Sequence, residues 1–224
     1  MPADLGYKPR PWQDECHRNM KRFTVLALHR RAGKTQMALM ELIDKALHSR
    51  AELPFYVYLA PFLKQSKAIA WLRLKQILGP MRLVNAVDVN EADLSITFKH
   101  NGAQIRLFGG DNPDALRGVR LDGCVIDEVA QIRPEVWNDI IQPALSDRKG
   151  WAVFMGTPRG KNEFWEIVEE AKKDDNEQVY TFILIALALG YAIGGALADR
   201  FQRARFLAHL RVLRANNQWL SLWN

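Results

Sequence analysis

RFTVLALHRRAGKT, residues 22–35, is the stretch on which the reading of this chain turns. Arg22 to Leu28 is apolar and β-branched, and it gives way at once to a short basic loop and then Gly33-Lys34-Thr35. That order predicts strand, loop, helix. The helix should run from Lys34 to His48, because Met37, Leu39, Met40, Ile43 and Leu47 recur at the spacing that places them against a sheet. Between the two elements the loop fits the second half of the phosphate-binding pattern GxxxxGK[ST], with Leu28 standing where its first glycine belongs. Part of the physical logic survives the departure. Gly33 lets backbone amides turn toward an anion, the helix N-terminus offers unpaired N–H groups and a partial positive charge, and Lys34 reaches terminal phosphates.

Outward from this stretch the chain keeps alternating. Phe55 to Ala60 is continuously apolar, as a strand covered on both faces is, and Pro61 ends it. Lys64 to Leu78 reads as helix, closed by Gly79-Pro80. Leu94 to Phe98 and Gln104 to Phe108 flank His100-Asn101-Gly102, a hairpin signal. Val119 to Ile126 leads into Asp127-Glu128, Pro134 to Leu145 looks helical, Trp151 to Met155 is a buried strand ending in Gly156-Thr157-Pro158, and Lys161 to Lys173 is an amphipathic helix. Strands alternating with helices predict a parallel sheet.

Val125-Ile126-Asp127-Glu128 places two carboxylates at the end of an apolar strand. Alone, the pair is equally well a strand end carrying solvated acids. Combined with Lys34 and Thr35 it makes nucleotide hydrolysis the favoured chemistry: in P-loop enzymes the first acid helps hold Mg²⁺ and the second orients and deprotonates the attacking water.

Several further segments match one family in order, and over roughly residues 7 to 180 the sequence resembles the ATPase domain of bacteriophage large terminase subunits, the DNA-packaging motors. Pro11-Trp12-Gln13 resembles the adenine-contacting glutamine segment, Arg30-Arg31-Ala32-Gly33-Lys34-Thr35 the variant Walker A, and Tyr58-Leu59-Ala60-Pro61 the strand and turn that follow. Gly110, Asn112-Pro113 and Leu116-Arg117-Gly118 resemble the approach to Walker B, Val125 to Glu128 Walker B itself, and Gly156-Thr157-Pro158 the coupling motif. The resemblance implies an α/β fold of the P-loop NTPase type, with a mainly parallel central sheet flanked by helices and one β-hairpin insertion. It implies ATP and Mg²⁺ as cofactors, with Glu128 activating water and Arg30 as candidate for the arginine that stabilises charge on the transferring phosphate. Gln13, Arg31, Ala32, Gly33, Lys34, Thr35 and Thr157 would contact nucleotide, and Thr35 and Asp127 the metal. Arg30 and Arg31 are equally readable as a solvated or DNA-facing basic pair, and Arg117 either faces a neighbouring subunit's nucleotide or anchors its own loop. The expected partners are double-stranded DNA, a portal protein, the terminase small subunit and further copies in a homo-oligomeric ring, in the host cytoplasm.

Composition fits a globular chain. It has 224 residues, 48% hydrophobic and 25% charged, against disorder or low complexity. Its two cysteines, Cys16 and Cys124, make neither a disulfide framework nor a zinc pattern, and residues 1–19 hold no signal-peptide core, consistent with a reducing compartment. Of the net charge of +6, residues 179–224 contribute five arginines against Asp199 alone. Val179 to Ala198 holds no charged residue and lysine disappears after Lys173, so a composition break is placed near residue 180. Residues 1–180 are expected to form the ATPase domain. For residues 181–224 three readings stand: a divergent end replacing the family's continuation, as in a prophage fragment; a membrane or interfacial helix, against which Thr181 to Ile185 already reads as the sheet's next strand and which a packaging ATPase does not need; or a DNA- or partner-binding helix. One acid there is too few for a two-metal nuclease, so no nuclease activity is expected. The rival functions are a helicase-like nucleic-acid-dependent ATPase, and an inactive remnant with a membrane-associated tail.

Overall fold

The computed structural model describes residues 5–157, 164, 166–169 and 179–184. Its strands are β1 Phe23–Leu28, β2 Phe55–Ala60, β3 Val87–Asn90, β4 Ser95–Phe98, β5 Gln104–Gly109, β6 Gly123–Ile126, β7 Trp151–Gly156 and β8 Val179–Leu184. They form one eight-stranded sheet in the order β3-β4-β5-β2-β6-β7-β1-β8. From β5 to β8 every neighbouring pair is parallel; β3-β4 and β4-β5 are antiparallel. All five parallel pairings therefore point the ends of β1, β2, β6 and β7 toward one edge.

Continuous apolar strands are what a sheet covered on both faces requires. Alternate residues of each strand serve opposite cores. Leu26, Leu28, Tyr56, Tyr58, Val125 and Met155 face one cluster, where helix α2 (Lys34–His48) contributes Met37, Leu39, Leu42 and Ile43. Val25, Ala27, Val57, Leu59, Ile126 and Phe154 face the other, with Val136, Ile140, Leu145 and Phe164. Cys16 and Cys124 are free and buried in opposite clusters.

The expected bounds of α2 and β2 match the structure to the residue. Three differences stand out. Helix α1 (Pro11–Asn19) precedes β1 where no element was anticipated; Pro11 opens it, as its fixed φ suits a first helical position. The expected hairpin is β4-β5, and it is extended on both sides: β5 pairs parallel with β2, and β3 adds a third antiparallel strand on β4. Each long helix after β2 and β6 contains a π turn, at Lys67–Trp71 and Trp137–Ile141.

The composition break near residue 180 is not a break in the sheet, because β8 crosses it and pairs with β1 from Val179 to Leu184. Residues 181–184 belong to the sheet, as the strand expected over Thr181 to Ile185 requires. The other readings of residues 185–224 lie outside the described residues. Of the helix expected over Lys161 to Lys173, residues 164 and 166–169 are helical and the rest lies outside them too. Among the described residues no helix is long and apolar enough to cross a membrane.

Candidate active site

Three adjacent strands deliver the site. In the order β6-β7-β1, the chain leaves β6 into Asp127-Glu128, β7 into Thr157, and β1 into the loop that ends at Lys34. Residues far apart along the chain thus meet at the carboxyl edge of a parallel sheet, where open α/β sheets bind ligands.

Lys34 is the hub. Its ammonium donates to Glu128 Oε1 at 2.5 Å and to Thr157 Oγ1 at 2.8 Å, and the Thr157 hydroxyl stands 3.4 Å from the same Glu128 oxygen. The pair is largely shielded, with side-chain exposures of 12% for Lys34 and 24% for Glu128. Glu128 sits at φ 48°, ψ 48°, a left-handed conformation that non-glycine residues adopt at a cost of about 1–2 kcal/mol. Its amide donates to Asp127 Oδ1 at 3.0 Å, which fixes the turn that aims the carboxylate at Lys34.

Asp127 is buried. Tyr58 on β2 donates its hydroxyl to Asp127 Oδ2 at 2.6 Å, so both carboxylate oxygens accept hydrogen bonds. Burial pushes the Asp127 carboxyl above the ordinary range, against the pull of the Tyr58 hydrogen bond and the Lys34 charge; the Glu128 charge adds to the rise. The Tyr58 phenol is likewise pushed well up, first by burial and then by the charge of Asp127.

The loop itself turns at Arg31 (φ 63°) and Gly33 (φ 94°). Gly33 caps the 15-residue α2 without any side-chain hydrogen bond to its first amides, which leaves these N–H groups and the dipole's positive end for an anion. Leu28, in the place of the pattern's first glycine, is fully buried in the core beside α2, so the turning is left to Arg31 and Gly33.

Helix α1 braces this loop from behind. Gln13, 3% exposed, donates Nε2 to Gly33 O at 3.1 Å while its Oε1 accepts the Arg10 amide at 2.8 Å. Arg10 Nη1 donates to Ala32 O at 2.9 Å. Gln13 therefore meets the loop through the backbone, and Ala32 is buried beneath it.

Lys34, Glu128 and Thr157 come together, Asp127 is held beside them by Tyr58 and the Glu128 amide, and Thr35 follows Lys34 in the first turn of α2. Arg30 and Arg31 do not join this cluster: both are exposed, and neither guanidinium makes an ion pair among the described residues. Arg117 pairs with Asp114 at 2.6 Å. Two participants escaped the sequence reading, Arg10 and Tyr58. For Tyr58 a signal existed, since a phenol in the middle of a strand buried on both faces must find a polar partner. For Arg10 there was none.

A carboxylate pair, an ammonium, two hydroxyls and an exposed helix N-terminus make a donor set suited to a polyphosphate with a hard divalent cation. No family model matches the chain. The large terminase subunit of Thermus phage G20c is 30% identical over 177 residues, 72% of this chain and 36% of that protein, so the chain spans about a third of the length of that relative. The large terminase ATPase domain of Thermus phage P74-26 superposes with a TM-score of 0.70 at 26% identity, covering 95% of this chain and 92% of that one. The large terminase of a further thermophilic bacteriophage, solved in complex with ATP-gamma-S, shares the fold at a TM-score of 0.59 and 20% identity, over 89% of this chain and 47% of that one.

Proposed function

This chain is a homologue of the ATPase domain of bacteriophage large terminases, and we propose that it hydrolyses ATP with Mg²⁺ to drive double-stranded viral DNA into a procapsid. The observation that carries the reading is the convergence of Lys34, Glu128 and Thr157 on one point at the sheet edge.

In this reading the residues divide the work between binding, metal holding and proton transfer. The amides at the start of α2 and the Lys34 ammonium take up the phosphates. Thr35 and Asp127 would hold Mg²⁺, which supplies charge neutralisation on the phosphate oxygens. A phosphate arriving beside Lys34 competes with Glu128 for the ammonium. Glu128 Oε1, once released, is an acceptor at the mouth of the site, able to orient a water and take its proton. Thr157 bridges the two groups whose pairing changes and ends β7, so it is placed to pass that change into the sheet; this is the coupling role. Gln13 and Arg10 keep the loop's carbonyls turned away from the anion. Arg30 is the charge-stabilising arginine in this reading, reached from the exposed side of the loop.

The portal, the small subunit, further copies in a ring and the host cytoplasm complete the proposal at the level of the packaging machine. Its test is DNA-stimulated ATPase of the purified chain. Lys34→Ala should abolish turnover, and Glu128→Gln should lower it by about 10²- to 10⁴-fold while ATP still binds. Turnover at the unsubstituted rate in either variant sinks the reading.

A further inference from the structure

We infer that Tyr58 is a positioning residue for the cation: its hydroxyl holds the Asp127 carboxylate and so presets that metal-holding side chain. This rests on the Mg-ATP reading and adds to it a residue that itself touches neither nucleotide nor reacting atoms.

The argument is one of hydrogen-bond direction. Tyr58 is 1% exposed, and its O–H donates to Asp127 Oδ2 at 2.6 Å. Asp127 Oδ1 is already held by the Glu128 amide, so the carboxylate has no rotational freedom left. Tyr58, in the middle of β2, thus orients the acceptors of a residue at the end of the neighbouring strand β6. Nothing else in the core explains a phenol here. Tyr58 lies in the cluster with Leu26, Leu28 and Val125, where Phe fills the same volume without a polar atom to satisfy.

Tyr58→Phe keeps the ring and deletes only the link. Binding of free Mn²⁺, followed by its electron paramagnetic resonance signal with the chain saturated by ADP, should weaken by about 10- to 100-fold, the range for lost outer-shell partners of a metal site. ADP affinity in EDTA should stay unchanged, and excess Mg²⁺ should restore kcat. A merely structural role would lower kcat or the melting temperature and leave Mn²⁺ affinity alone; that result overturns the inference. If Tyr58→Phe does not fold, ring-Cζ-labelled tyrosine in the unsubstituted chain replaces it: the Tyr58 resonance should move on adding Mg²⁺ to the ADP complex, and an unmoved resonance overturns the inference. Failure of the unsubstituted chain to bind ADP at all removes the nucleotide reading beneath it, and the two failures are distinguishable.

Discussion

The surroundings of Asp127 work against its charge. Burial raises its carboxyl above the ordinary value of 3.8. Between that value and the raised one the folded chain holds more protons at this position than the unfolded chain, so stability from this group is present at low pH and lost as pH rises through the window. Asp127→Asn has no such proton to lose. Whatever constant difference the amide introduces, the stability of the unsubstituted chain relative to Asp127→Asn should fall as pH rises from below 4 and then level off. Urea unfolding of both proteins in EDTA across pH reads this directly, and a flat difference would show that the carboxyl is not destabilised by the fold. At this scale the sequence disclosed identities well and pairings poorly. Lys34, Asp127, Glu128 and Thr157 were legible because local patterns announce them. Tyr58 and Arg10 act across 69 and 22 residues, and no spacing rule reports such contacts.

Elements were legible where one signal dominated. The apolar run Phe55–Ala60 and the periodicity of Lys34–His48 leave one answer each, and both matched. Helix α1 was missed because its sequence, PWQDECHRN, has little apolar periodicity; it is set instead by Pro11 and by the Arg10 and Gln13 hydrogen bonds at its start. Strand β3 was missed because only Val87 is buried in its four residues, and it is defined by pairing with β4 rather than by its own pattern. The close approach at Gly109 was equally invisible. Gly109 ends β5 against the start of the helix that follows β2, and a Cβ there would fall well inside van der Waals distance of the Leu63 amide nitrogen. A backbone atom cannot rotate aside as a side chain can. Gly109→Ala should therefore destabilise the fold by about 1–3 kcal/mol or more, by overpacking, which is of order several degrees in melting temperature for a chain of this size. An unshifted thermal melt would mean that the two elements separate at little cost.

At the scale of the molecule, the sheet explains why distant motifs were bound to meet. Parallel strands must all end on one edge, so the sequence alone, by making β1, β2, β6 and β7 parallel-type apolar runs, committed Lys34 and Glu128 to the same side. What it did not disclose is the order in which they sit: β7 lies between β1 and β6, and this puts Thr157 between the ammonium and the carboxylate instead of at a remote end. The same order shares each core between both halves of the sheet, since β1, β2, β6 and β7 contribute to both clusters. Ligand at the β1-β7-β6 edge therefore stabilises elements on both faces at once. ADP with Mg²⁺ at 100 times its dissociation constant should add about 2.7 kcal/mol to folding, by mass action. For a chain of this length that corresponds to a rise of about 5–11 °C in melting temperature. The transition should stay single, because no part of either core can melt without uncovering the sheet. Lys34→Ala should abolish the rise; without nucleotide it removes the pairing with Glu128 and Thr157 at the sheet edge but no residue of either apolar cluster, so the transition should stay single. Two resolved transitions, only one of them moved by MgADP, would show that the site is carried by a fraction of the sheet and that the shared-core account is wrong.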